Sequence, residues 1–231
     1  AGLSAGCYGQ MNGYQTKIYE MHTTPGGLCT SWKRKGYTFD GCIHWLVGTN
    51  PKRSMNKIWR ELGALKDMQV VNHEIFRVLE LSGGREFNLY SDVNRLEEEM
   101  LSISPKDARA IHELMNAIRR LGKLETFADD PQSAGDSIKT LLSSIPAVAT
   151  LIRYQNMTIG EFAKKIKHPF LREVVNDIFG SPEFPIMGFL MTMGWLNHKD
   201  AGYPVGGSLA CSRAIEKRYL ELGGQIQYQA R

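Results

Sequence analysis

The run Gly2-Leu3-Ser4-Ala5, followed by Gly13 and then Glu20, has the residue types and spacing to hold a ligand. In a dinucleotide-binding fold the last glycine of the fingerprint lets the first helix lie close on the sheet. The N-terminus of that helix then faces a pyrophosphate, where unpaired N–H groups and the helix dipole favour negative charge. An acidic residue about 20 positions further on, at the end of the second strand, accepts hydrogen bonds from the adenosine ribose hydroxyls. Gly2 and Glu20 have that separation, which assigns Gly2, Leu3, Ser4 and Ala5 to the phosphate end and Glu20 to the ribose end. A plainer reading fits the same run: an αβ unit whose Gly2 only packs, since the first two glycines of the fingerprint are not there. On this run alone both readings stand.

Little else is a candidate for chemistry. His44 beside Trp45 is able to shuttle a proton near neutral pH. A single histidine among aromatics is more commonly a packed or hydrogen-bonded residue, so no acid or base is assigned. Cys7, Cys29, Cys42 and Cys211 form no CxxC pair and have no histidine at zinc spacing, which points to free thiols, a reducing cytosol and no metal. A formal charge of +4 over 231 residues is too mild for nucleic acid, and Lys33-Arg34-Lys35 reads as a solvated turn. With 42% hydrophobic and 23% charged residues, the composition is that of a soluble globular protein. No run reaches the ~18 apolar residues of a spanning helix, so a cytoplasmic location is expected. The apolar stretch 184–196 comes nearest and is interrupted by Pro185, Gly188 and Gly194.

The elements that must position these residues follow from local signals. Residues 3–11 read as a small-residue helix ended by Asn12-Gly13, and 16–20 as a short β-type run. Residues 23–50 suggest loops with short strands, and 54–63 a helix capped by Ser54. A hairpin is expected over 74–81 and 85–90 about Gly83-Gly84. Helices open next at Ser91 or Asp92 and at Ser104-Pro105, with proline at a first helical position. A loop at 129–135 precedes helices at about 136–144, 146–154, 158–166, 168–179 and 184–196. Tyr203-Pro204-Val205-Gly206-Gly207 reads as a tight turn, 208–222 as an amphipathic helix and 225–229 as a strand. The fold class expected is α/β. A discontinuous dinucleotide-binding domain, residues 1–50 and 202–231, is interrupted by an α+β domain, residues 51–201. The helix without a strand before it, and the last strand without a partner after it, lead to the expectation of a domain truncated at both ends.

Pro25-Gly26-Gly27-Leu28, five residues after Glu20, and Arg34-Lys35-Gly36-Tyr37-Thr38-Phe39-Asp40 add a resemblance. With the first helix and Tyr203-Pro204-Val205-Gly206-Gly207, in that order, the chain resembles the phytoene desaturase-like branch of FAD-dependent oxidoreductases, which includes carotenoid isomerases and retinol saturases. The resemblance implies a Rossmann-type FAD-binding domain, with Gly26 and Gly27 along the flavin ribityl-phosphate. Consecutive glycines let a backbone run close to a ligand and offer it N–H donors. Leu28 stands where many relatives carry a basic residue, and Arg34 is the cation that could replace it. The resemblance further implies a substrate domain at 51–201 and a lipophilic, polyene or isoprenoid-like small-molecule substrate. Peripheral contact with a membrane fits such a substrate, while the oligomeric state is left unassigned. Desaturation, saturation and isomerisation all fit, and the chain by itself is expected to be inactive. An amine-oxidase-like flavoenzyme and a non-catalytic flavoprotein are the rivals. The apolar residues of 184–196 would either line a lipophilic pocket or form a buried core helix.

Overall fold

The computed structural model describes residues 1–124 and 134–230, so most of the loop expected at 129–135 lies outside the described residues. In chain order the elements begin with α1 (Gly2–Met11), β1 (Lys17–Tyr19), β2 (Ser31–Arg34), β3 (Tyr37–Asp40), β4 (Leu46–Val47), α2 (Ser54–Glu61) and β5 (Val70–Val71). They continue with β6 (Ile75–Leu81), β7 (Arg85–Tyr90), α3 (Val93–Ile103), a short 3-10 turn (Pro105–Asp107), α4 (Ala108–Leu121) and α5 (Ala134–Tyr154). The rest are α6 (Ile159–Ala163), α7 (Pro169–Asp177), α8 (Ile186–Asn197), β8 (Ala201–Pro204), α9 (Gly207–Glu221) and β9 (Gln225–Gln227). The chain divides into two compact units: residues 1–72 with 201–231, and residues 73–200.

In the first unit β1 and β9 pair in parallel, with Ile18 opposite Ile226. Parallel neighbours need a crossover, and here α9 leads into β9 while α1 leads into β1. The two helices pack on each other around a core of Cys7, Leu62 and Tyr219, joined by Leu3, Ile18, Ile215 and Ile226. A β-carbon on Gly6 would stand 2.7 Å from the Tyr219 ring, and one on Gly224 would stand 2.2 Å from it. The two glycines are what let the ring in. Its hydroxyl donates to the Thr16 carbonyl at 2.8 Å and lies 2.9 Å from Thr16 Oγ1. Tyr219, with no exposed surface, therefore fastens α9 to the chain entering β1.

Helix α2 also belongs to this unit, whereas the sequence reading set the boundary at residue 50. Its Ile58 and Trp59, with the following Leu62, pack on the Cys7–Tyr219 core. Asn56 Nδ2 donates to the Gly48 carbonyl at 2.9 Å and Trp59 Nε1 to that of Val47 at 2.8 Å. Ser54 is the first helical residue rather than the cap; Arg53 holds the cap position in extended conformation and makes no side-chain capping bond. Strand β8 lies between β4 and β5, antiparallel to both, so Tyr203 and Pro204 are strand residues and the turn expected there starts later. Strands β2 and β3 form a hairpin whose tip carries Lys33, Arg34 and Lys35 in the open.

In the second unit the β6–β7 hairpin turns at Gly83 and Gly84, both at positive φ, where glycine is unstrained. Asp92 caps α3, accepting from the N–H groups of Asn94 at 2.8 Å and Arg95 at 3.1 Å. Helix α4 buries Ile111, Leu114, Met115, Ile118 and Leu121 at helical spacing. It meets α8 where Gly122 and Gly194 touch: a β-carbon on Gly194 would be 2.8 Å from the Gly122 backbone. The two helices expected at 136–144 and 146–154 are one, α5, with Pro146 inside it. Helix α8 is a core helix, with Ile186, Phe189, Leu190 and Met193 at 1% exposure or less. Among the described residues no helix is long and apolar enough to cross a membrane.

Tyr219→Phe keeps the ring and removes the hydroxyl, leaving half-buried Thr16 groups without that partner. The expected loss is about 1–2 kcal/mol of folding stability, read by urea denaturation with an unchanged m-value.

Candidate functional site

Sequence and topology place one cavity at the carboxyl ends of the parallel pair, the side on which open α/β sheets bind ligands. It has a volume of about 230 Å³. Gly2 and Leu3, at the start of α1, form one wall. Ile18 and Ile226, opposite each other in β1 and β9, form the floor, and Glu20 and Tyr228 follow where those strands end. Pro25, Gly26 and Gly27 close the remaining side.

Helix α1 offers this cavity unsatisfied donors. Ala5 N–H makes the first intrahelical bond, to Ala1, and no side chain caps the turn before it. The N–H groups of the first turn and the positive end of the dipole thus remain for an anionic oxygen. At the other end stands the Glu20 carboxylate. Its backbone is fixed by a bond from Glu20 N–H to the Gln227 carbonyl at 2.9 Å and one from Ala230 N–H to the Glu20 carbonyl at 3.0 Å. Its Oε1 accepts from the His22 N–H at 2.8 Å. Tyr228 donates its hydroxyl to Glu216 Oε1 in a short hydrogen bond. Burial, then that bond, push the phenol pKa well above its usual value, so Tyr228 stays protonated. Donors at one end and an acceptor at the other suit a ligand that is anionic at one end and hydroxyl-bearing at the other.

The glycine pair has two separate causes. A β-carbon on Gly26 would be 2.4 Å from Ser212 Oγ on α9 and equally close to the Cys29 carbonyl, so packing alone requires glycine there. Gly27 has φ +58° and open space where its β-carbon would be. The turn closes with Cys29 N–H on the Gly26 carbonyl at 2.9 Å, and Ser212 Oγ donates to the Cys29 carbonyl at 2.7 Å. The glycines are therefore held against α9 while the turn faces the cavity.

Of the residues assigned from sequence, Gly2, Leu3, Glu20, Gly26 and Gly27 meet in this cavity. Ser4 and Ala5 lie further along α1 and do not line it. Leu28 is 92% exposed at the far side of its turn, and Arg34 sits at the tip of the β2–β3 hairpin. Neither reaches the site. His44 is exposed beside Trp45 rather than packed, and its ring makes only a tilted approach to the indole, at 6.2 Å between centroids.

One constellation went unrecognised in the sequence. Asp40, ending β3, accepts from the Ser208 N–H at 2.5 Å and from the Ser208 hydroxyl in a short bond. It also accepts from the N–H groups of Cys42 and Ile43, each at 3.1 Å. Ser208 Oγ in turn accepts from Ile43 N–H at 2.9 Å. Gly207 has φ +65°, and a β-carbon there would be 2.0 Å from Asp40 Oδ2. The Asp40 carboxylate thus occupies the N-terminus of α9 and leaves no room for an external anion at that helix start. Burial acts to raise its pKa, but the bonds from Ser208, Cys42 and Ile43 outweigh burial and hold it below the usual carboxylate range.

Comparison with known proteins agrees with this geometry. Residues 1–62 match the NAD(P)-binding Rossmann-like domain. Over 98% of its length the chain is 24% identical to a neurosporene-forming phytoene desaturase of Rhodobacter capsulatus, of which it covers 43%. Over 99% of its length it is 23% identical to the chloroplastic prolycopene isomerase of Daucus carota, of which it covers 39%. The chain thus spans less than half the length of these relatives. Two solved structures share the fold: a Pyrococcus furiosus protein (TM-score 0.58, 18% identity, 98% of this chain and 48% of that one) and a Methanosarcina mazei oxidoreductase (TM-score 0.56, 18% identity, the same coverage). The resemblance read from the glycine pair and the Gly36-to-Asp40 run is therefore borne out across the chain.

The Asp40 clamp gives a signed prediction. Its folded pKa lies below its unfolded one, so its stabilisation is complete above the unfolded value and is lost as pH falls through the folded one. Asp40→Asn is expected to cost about 1–3 kcal/mol near neutral pH. That difference from the wild type should hold down to about pH 5 and narrow below about pH 4, measured by denaturation across pH.

Proposed function

We propose that this chain is the dinucleotide-binding part, with the attached substrate domain, of an FAD-dependent oxidoreductase acting on a hydrophobic polyene or isoprenoid-like substrate. The observation that carries this reading is the cavity joining the first turn of α1, the Gly26-Gly27 turn and Glu20 at the ends of β1 and β9. The likeness to carotenoid desaturases and isomerases supports the choice of flavin and of substrate class. The first-turn amides of α1 hold the pyrophosphate, and Glu20 accepts from the adenosine ribose hydroxyls. The turn at Gly27 lets the backbone pass along the ribityl-phosphate. Bound flavin supplies the hydride chemistry at its ring, which serves desaturation, saturation and flavin-assisted isomerisation alike. The chain's own task at this end of the cofactor is to bind and orient, and no side chain in the cavity is required as an acid or base. Residues 73–200 serve as the substrate domain in this reading.

The test titrates the chain with FAD and with ADP, which carries the pyrophosphate and the adenosine ribose without the flavin ring. Both are expected to bind, and Glu20→Ala to weaken both by about tenfold or more, the value of one or two hydrogen bonds to a charged group. The melting temperature of the ligand-free variant should stay close to the wild-type value, because a half-buried strand-end carboxylate with one local backbone partner adds little to folding. A lowered melting temperature with unchanged affinity would make Glu20 a structural residue and overturn the assignment.

A further inference from the structure

The second unit holds a cavity of about 410 Å³ where the start of α4, the end of α5 and the turn between α6 and α7 come together. Lys106, Arg109, Arg153, Lys165 and Lys167 line it, against the carboxylates of Asp107 and Glu113. Both carboxylates are engaged by neighbours. Asp107, 3% exposed, accepts from the N–H groups of Lys167 at 2.8 Å and His168 at 2.9 Å, and from Ser104 Oγ at 2.9 Å. Glu113 Oε1 accepts from Lys165 Nζ at 2.6 Å, Arg153 at 2.8 Å and the Tyr154 hydroxyl at 2.9 Å. One oxygen thus serves three donors, and both cations keep N–H groups to spare.

Lys106, Arg109 and Lys167 are exposed, and among the described residues no carboxylate pairs with them. Like charges gathered in one hollow repel one another. A concave wall with converging, uncommitted donors and an excess of positive charge is complementary to a compact dianion. Arg109 adds a planar fork able to grip two oxygens at once. The positive end of the α4 dipole has the same sign.

We propose that this cavity binds a phosphoryl group, as a phosphomonoester dianion on a small molecule or on a lipid headgroup. The site lies within the second unit and does not depend on the flavin reading.

The test follows amide chemical shifts of the chain during titration with inorganic phosphate, with chloride keeping ionic strength constant. Saturable shifts are expected at Lys106, Arg109 and Lys167. Combining Lys106→Ala, Arg109→Ala and Lys167→Ala should weaken binding at least about tenfold. Arg109→Gln, close in shape and uncharged, should weaken it severalfold, which keeps the test valid if the triple variant folds poorly. A charge-matched control, Arg60→Ala with Lys66→Ala and Lys217→Ala in the first unit, should bind as the wild type does. Co-sedimentation with phosphatidate vesicles, compared with phosphatidylcholine vesicles, identifies the source. Retention on phosphatidate that the triple variant loses assigns a headgroup, and phosphate binding without vesicle retention assigns a small molecule. No saturable response to phosphate, or an equal loss in the charge-matched control, would overturn the proposal.

Discussion

The ring of Tyr219 sits between Gly6 and Gly224, at distances no other residue pair would tolerate, with its hydroxyl on the strand-entry residue Thr16. That single side chain sets how closely α1 and α9 approach and where β1 and β9 begin. Protein interiors are packed densely enough that one extra carbon at either glycine must displace something. Here the displaced object would be the ring itself, and with it the helix that supports Gly26. The cavity at the strand ends exists because this packing fixes the start of α1 opposite Glu20.

Two carboxylates in the first unit show how different duties can be told apart. Asp40 is surrounded by protein donors on both oxygens, so its bonding is complete in the folded chain. Glu20 accepts a backbone N–H from His22 on one oxygen and faces a cavity. A group satisfied by the fold stabilises the fold. A group left with capacity beside an open space is suited to a ligand. Both acids end a strand, and sequence position alone does not separate them.

Much of this architecture was legible in the sequence because its signals are local. The small-residue run of α1, the Gly83-Gly84 hairpin, the Asp92 cap and the apolar stripe of α4 each declare themselves within a few residues. The spacing from Gly2 to Glu20 was enough to bring both to one cavity. What the sequence hid depends on distant partners. Asp40 and Ser208 are 168 residues apart, and nothing near either one announces the other. The apolar face of α2 was visible, but a face does not say what it packs on, so the boundary fell too early. Gly26 illustrates a further ambiguity, since contact with α9 and approach to a ligand ask for the same residue.

The order of assembly follows from the pairing of β1 with β9. Thr16 and Tyr219 stand 203 residues apart, with the whole second unit between them. As the chain leaves the ribosome, residues 73–200 are complete while the first unit still lacks α9 and β9, and domains generally fold as they become whole. Until then Leu3, Ile18 and Trp59 have no Tyr219 to close over them. Folding the second unit shortens the free chain between the two halves of the first, which lowers the closure entropy of a very long loop. Residues 1–72 are thus made before residues 73–200 and enclosed after them.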